Sequence, residues 1–253
     1  MSASTSPQEV TALDAVSEAQ RLAAGYTSAQ RLLEISGVTL FFGLCVTTVA
    51  QLSYHCIQER LAPVAVAAVA LAALVAGQLG ADFASGFVHW AADNWGHESW
   101  PIVGAAFIRP FRHHHVDPQD ICHHPFVELN GNNCLVSLPL FGLGYLGMDL
   151  GGLAGFFVGA FFLSLACWVL GTNQFHAWAH APNPPRVAQA LQSWGLILSK
   201  PHHEVHHTRP HNGNYCITTG WLNRPLRVLR FFELLEASIT RITGVLPNHR
   251  LLK

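Results

Sequence analysis

Leu61-Ala-Pro-Val-Ala-Val-Ala-Ala-Val-Ala-Leu-Ala-Ala-Leu-Val-Ala-Gly-Gln-Leu-Gly-Ala81, continued by Asp82-Phe-Ala-Ser-Gly-Phe-Val-His-Trp-Ala-Ala-Asp93, is the stretch that decides the fold. Its first part is uncharged over the roughly 20 residues that a membrane-spanning helix needs. As one helix rising about 1.5 Å per residue, Leu61 to Asp93 is roughly 50 Å long. A hydrocarbon core is only roughly 30 Å thick, so the helix projects past the membrane face. Its end carries His89 and Asp93, four residues apart and therefore on one side of the helix.

Three further runs work outward from it. Ile35–Tyr54 is uncharged and makes a first span, Asn133–Met148 a third, and Leu150–Phe175 a fourth. Only Met148 to Gly152 separates the last two, which predicts a tight hairpin. Buried helices of a soluble protein are a poor alternative. Charged residues make up only 11% of the chain, against about 25% in a soluble domain, too few to cover four such runs with polar surface. The expectation is an all-α integral membrane protein of about four transmembrane helices with a His-rich helical cap. Residues 1–30 read as a flexible tail passing into a short amphipathic helix, without the basic and apolar regions of a signal peptide.

With four spans, the tail, the 82–132 loop and the 173–253 segment share one side of the membrane. Of the 14 Lys and Arg residues, only Arg60 falls on the other side. The positive-inside rule makes the His-bearing side cytosolic, at a bacterial inner membrane or at the endoplasmic reticulum of a eukaryote. A formal net charge of −1 gives no basic surface for nucleic acid. The 6 cysteines contain no C-x-x-C pair, which argues against a disulfide framework or a Cys-rich zinc site.

Histidine is the outlier, with 16 copies. Besides His89 and Asp93, His176 and His180 stand four apart just beyond the fourth span. His203, His206 and His207 form H-x-x-H-H, all on one helical stripe, with His202 beside them. His113-His114-His115 and His123-His124 lie between. Imidazole suits zinc, copper, iron or nickel alike. The ligand number is more telling: zinc takes three or four protein ligands, whereas some nine or ten histidines gather here with a carboxylate. That fits two ions of higher coordination number, with iron the natural candidate for O₂ chemistry beside lipid. His55, His97, His113 and His249 read as hydrogen-bonded surface residues. Asp82, seven residues before His89, is either a partner to a ligand histidine or a charge at the helix end.

Five segments then carry a resemblance: Gly86-Phe-Val-His-Trp-Ala-Ala-Asp-Asn-Trp-Gly96, Phe107-Ile-Arg-Pro-Phe-Arg112, His114-His-Val-Asp-Pro118, Thr172-Asn-Gln-Phe-His-Ala-Trp-Ala-His180 and Tyr215-Cys-Ile-Thr-Thr-Gly-Trp-Leu-Asn223. From about Ala81 to Pro247 the chain resembles the plasmanylethanolamine desaturase (Kua/CarF-like) family of lipid desaturases. The resemblance makes residues 31–253 a membrane lipid desaturase domain. It implies a non-haem centre of two iron ions that introduces the vinyl ether double bond of a plasmalogen into the alkyl chain of an ether phospholipid. The metal residues it implies are His89, Asp93, His114, His115, His124, His176, His180, His202, His203, His206, His207 and His211. Where the family carries Glu, Arg and Asp, this chain has His113, His123 and Pro125, and His97 is also unusual; these departures bear on the substrate more than on ligation. A related branch, the chloroplast-type desaturases acting on the acyl chain of phosphatidylglycerol, shares much of the scaffold.

Removing hydrogen from an unactivated alkyl carbon needs a cofactor, O₂ and two external electrons. The chain has no Gly-rich dinucleotide fingerprint and no cysteine spacing for an iron–sulfur cluster. The electrons must therefore come from outside, and the family resemblance implies a cytochrome b5 or a ferredoxin as the donor. Arg109 and Arg112 lie where they could bind a phospholipid phosphate, and Asn132 and Asn173 are further candidates around the substrate. Trp90, Trp95, Trp178, Trp194 and Trp221 suit interfacial anchoring. The rival readings are an acyl-lipid desaturase or hydroxylase on the same metal site, and a metal-binding transporter or sensor. The last would place polar residues inside the spans, which hold almost none.

Overall fold

In the computed structural model, residues 27–101 and 103–251 are described; the proposed tail and the amphipathic helix after it lie mostly outside them. The described residues are all-helical, without strands. The long apolar run becomes helix α2, Pro63–Asn94, after α1, Ser28–Gln58. Pro63 opens α2, where its missing N–H costs nothing. Helix α3, Arg109–His114, follows a short π-helical turn, Gly104–Ile108. Then come α4, Phe126–Met148, and α5, Gly152–His180.

α5 packs along both α4 and α2, and α1 closes the bundle against α4. The core is small and apolar: Phe41, Cys134, Phe141 and Ala166, with the Phe41 and Phe141 rings edge-on at 5.3 Å. At Gly77 an added Cβ would lie 2.5 Å from Ser164 Oγ, and that hydroxyl donates to Leu74 O at 3.0 Å. Small residues that let helix backbones approach are the usual glue where lipid surrounds a bundle.

Among the described residues three helices, α1, α2 and α5, are long and apolar enough to cross a membrane, as expected of the first, second and fourth runs. The third run lies within α4, which begins earlier than expected and takes in Glu128, Asn130, Asn132, Asn133 and Pro139. Those residues dilute its hydropathy, so α4 is a bundle helix rather than one of the three long apolar ones. The expected hairpin is present: Gly151 and Gly152 turn the chain at φ 71° and 52°. Such a conformation costs glycine no Cβ clash. At the same end His55 Nε2 lies 2.8 Å from Gly152 O, far along α1 from the other histidines.

The cap is made of short helices: α6, Arg186–Ser193; α7, Lys200–Glu204; α8, Asn223–Val228; α9, Phe231–Thr243; and α10, Asn248–Leu251. Between α7 and α8, residues Tyr215 to Gly220 are buried without regular structure. Buried irregular backbone needs partners for its N–H groups, and Asp82 of α2 supplies them. Its carboxylate accepts from Thr219 N at 2.8 Å, Gly220 N at 2.9 Å and Leu222 N at 3.0 Å. Ile217 N donates to Ser85 Oγ at 3.1 Å. Of the two readings of Asp82, neither holds: it is a clamp on this loop.

Candidate metal centre

α2 and α5 each end in a ligand-bearing turn because their apolar sequences give way to His89/Asp93 and His176/His180 only in the last turns. α3 and the residue that caps it bring His114 and His115 across from the loop side, and α7 with the turn after it brings His203, His206 and His207. Two groups result. In one, His114, His176, His180, His203 and His207 offer ring nitrogens within 4.8 Å of one another. In the other, His89, His115 and His206 do the same with the Asp93 carboxylate. The groups adjoin: the ring centroids of His115 and His207 are 5.0 Å apart, and those of His89 and His176 6.0 Å.

Adjacent and helix-spaced histidines are shared out between the groups. His114 joins one and its neighbour His115 the other. The H-x-x-H-H stripe also divides, since α7 stops at Glu204 and the motif continues as a turn. His206 N reaches His203 O at 2.9 Å and His207 N the same oxygen at 3.3 Å. His203 and His207 therefore face the five-histidine group while His206 faces Asp93.

The residues fit metal ions on geometric grounds. Within the five-histidine group, Nε2 of His203 lies 2.8 Å from Nε2 of His176 and 3.0 Å from Nε2 of His207. His114 Nε2 and His180 Nε2 are 2.9 Å apart. A neutral imidazole has one donor and one acceptor nitrogen, so this many nitrogens converging cannot all be satisfied by each other. In the second group Asp93 Oδ2 stands 3.5 Å from both His89 Nε2 and His206 Nε2, and Oδ1 stands 3.2 Å from His115 Nε2. These carboxylate oxygens and the three Nε2 atoms are buried without hydrogen-bond partners. Burying such groups unpaired is costly, and a cation between them removes the cost.

Electrostatics agree. Burial first, then the imidazoles facing them, hold His114, His203 and His206 well below the ordinary histidine range. Burial, with His180 next, pushes His207 down to about 3. The rings are thus neutral with lone pairs free, the state a metal ligand needs. His206 Nδ1 donates to Gly213 O at 2.8 Å, fixing the tautomer that leaves Nε2 for the group. No sequence signal pointed to Gly213, because a backbone carbonyl carries no residue-type signature.

Three of the histidines implied by resemblance stand outside both groups. His124 lies between Asp120 Oδ2 at 3.2 Å and Glu128 Oε1 at 3.0 Å. His202 Nε2 accepts from Asn223 Nδ2 at 2.9 Å. His211 Nδ1 donates to His206 O at 3.2 Å, its ring 4.4 Å from that of His115. Of the substrate candidates, Arg112 is turned to the end of α2, donating to Trp95 O and Gly96 O at 3.2 and 3.0 Å. Asn173 Nδ2 donates to Leu129 O at 2.9 Å, joining α5 to α4. Arg109 is half-buried and Asn132 exposed.

Comparison with known proteins places this geometry. The profile of the lipid desaturase domain matches residues 78–250, from the middle of α2 through every ligand of both groups. The plasmanylethanolamine desaturase of Myxococcus xanthus is 45% identical over 231 residues, covering 91% of this chain and 79% of that protein.

The chain belongs to the plasmanylethanolamine desaturase family of lipid desaturases.

Plasmanylethanolamine desaturase 1 of Mus musculus is 42% identical over 235 residues, covering 91% of this chain and 84% of that one. The chloroplastic fatty acid desaturase 4 of Arabidopsis thaliana is 36% identical over 214 residues, covering 83% of this chain and 61% of the relative. No solved structure matches. This lipid desaturase is accordingly an oxidoreductase and a membrane protein, with a histidine-rich site that could hold metal.

Proposed function

We propose that this desaturase converts the alkyl ether chain of a phospholipid into a vinyl ether, using two iron ions held by the nine residues of the two groups. The observation that carries the reading is the pair of ligand groups. Five imidazoles exceed what tetrahedral zinc accepts, and a second group of three imidazoles and a carboxylate adjoins it. Its relatives named plasmanylethanolamine desaturase supply the substrate class. A bound di-iron pair would supply the oxidising power to break two C–H bonds, with O₂, two external electrons and two protons consumed and two waters formed. Asp93 and the eight histidines would hold it, His206 kept in its ligating tautomer by Gly213 O. The electrons come from a cytochrome b5 or a ferredoxin, since the sequence carries no dinucleotide fingerprint or iron–sulfur spacing of its own. The protein is multi-pass, with the ligand-bearing helix ends on the cytosolic side given by the Lys and Arg distribution.

The test is expression in a host supplied with alkyl ether phospholipid and an electron donor, followed by measurement of acid-released fatty aldehyde. Wild type should release aldehyde, and His203→Ala and His180→Ala should abolish it. Unchanged aldehyde in both variants would defeat the metal assignment. The chloroplastic relative favours one second reading, desaturation of an acyl chain. A new alkene that releases no aldehyde in acid would select it.

A further inference from the structure

We propose that Asn248 and His249, on the short C-terminal helix α10, are positioning residues for the Asp93 group. The last turn of α2 has two working faces. His89 and Asp93 occupy one and meet the candidate metal site. Trp90 and Asn94, each one residue further on, occupy the adjoining face and meet a separate buried polar network. Asn94 is its hub. Its amide donates to Trp90 O and to Tyr215 Oη, both at 3.0 Å. Its Oδ1 lies 2.7 Å from His249 Nδ1. Glu236 of α9 sits at 3% exposure, accepting from Trp90 Nε1 at 3.0 Å and lying 3.6 Å from His249 Nε2.

The two faces are mechanically coupled because they belong to the same helical turn. The carbonyls of a helix's last turn have no intrahelical donor, and such turns fray. Here Asn248 Nδ2 donates to the main-chain oxygen of Asp93 itself, at 2.9 Å. His249 holds the next residue by its side chain. Tyr215 completes the brace from the other direction, its ring 5.4 Å from His206 and 6.3 Å from His89. α10 therefore fixes the rotation of the turn that aims the Asp93 carboxylate. The five-histidine group takes nothing from this turn. Loss of the brace should weaken one ion site and leave the other.

This inference rests on the two-metal reading, so the experiment measures metal and not turnover. Purified full-length protein is stripped with chelator and titrated anaerobically with Fe²⁺, and bound iron per chain is read by elemental analysis. Wild type should take two ions. In Asn248→Ala and His249→Ala the Asp93 site should lose about 10–100-fold in affinity, the usual effect of removing a group behind a ligand. The other ion should bind as in wild type. His249→Asn places an amide N–H where Nδ1 stood, keeps the donor for Asn94 Oδ1 and should recover most of the loss. Both sites weakening together would make the role one of general stability and overturn the proposal, as would wild-type binding in both alanine variants. A wild type that takes fewer than two ions would instead defeat the two-metal reading, and this inference with it.

Discussion

Asp82 offers a sharp test of how the fold supports the site. Its fully buried carboxylate receives three main-chain N–H groups of the loop at residues 219–222. Asp82→Ala leaves those donors without an acceptor, at roughly 1–3 kcal/mol for each buried group before relaxation. Allowing for non-additivity and some water entry, the loss should be about 4 kcal/mol. Asp82→Asn keeps one acceptor oxygen but turns an amide donor toward another N–H, and should cost about half as much. For a chain of this size each kcal/mol moves the melting midpoint by roughly 2–4 °C. The alanine variant should therefore melt about 8–16 °C lower and the asparagine variant about 4–8 °C lower. The assay is thermal unfolding of detergent-solubilised protein followed by tryptophan fluorescence. A midpoint within about 2 °C of wild type for Asp82→Ala would refute the clamp.

Other outcomes follow from the same geometry. Gly86 lies against Cys216, so a Cβ there would press on its Sγ; Gly86→Ala should cost about 1–3 kcal/mol, the range for overpacking. Adding Cys216→Ala should recover part of the lost melting temperature, and no recovery would contradict the contact. Metal-free protein should lose stability as pH falls below about 6.5, where unfolded histidines begin to protonate. The depressed values of His203 and His206 mean the unfolded chain binds more protons there, at about 1.4 kcal/mol per pH unit for each such buried ring. A melting midpoint that stays flat from pH 7 to pH 5 would count against it. Chelation should abolish desaturation, with Fe²⁺ restoring it and Zn²⁺ failing to; full recovery with zinc would remove the iron assignment. His202→Ala removes a ring that bonds Asn223 and lies by the loop at Gly220, outside both groups, and should keep both bound ions where His203→Ala loses one.

Much of this was legible in the sequence because lipid imposes a simple code. An uncharged run of the right length makes a helix, and the helix-spaced histidines at its end make a candidate ligand turn; α2 and α5 read directly in that way. The i, i+4 spacing says which side chains share a face but nothing about partners far along the chain. It could not show that His114 and His115, or His203 and His206, would part company between two groups. His249, read as a surface residue, proves to be packed on Asn94 through a C-terminal helix whose return to α2 has no local signature. Trp90, read as an interfacial anchor, is 2% exposed with its N–H on Glu236. In both cases tertiary contact overrode a sound local expectation.

The division of the H-x-x-H-H turn has a consequence for biogenesis. Helices α2, α3 and α5 leave the ribosome carrying His89, Asp93, His114, His115, His176 and His180, which furnish only part of each ligand group. His203 and His207 complete one and His206 the other, all within five residues that follow the last long apolar helix in the sequence. Both groups thus depend on one short segment late in the sequence. A nascent chain presents no complete ligand group until residues 203–207 have docked, which under the two-iron proposal would keep oxidising chemistry away from lipid during assembly.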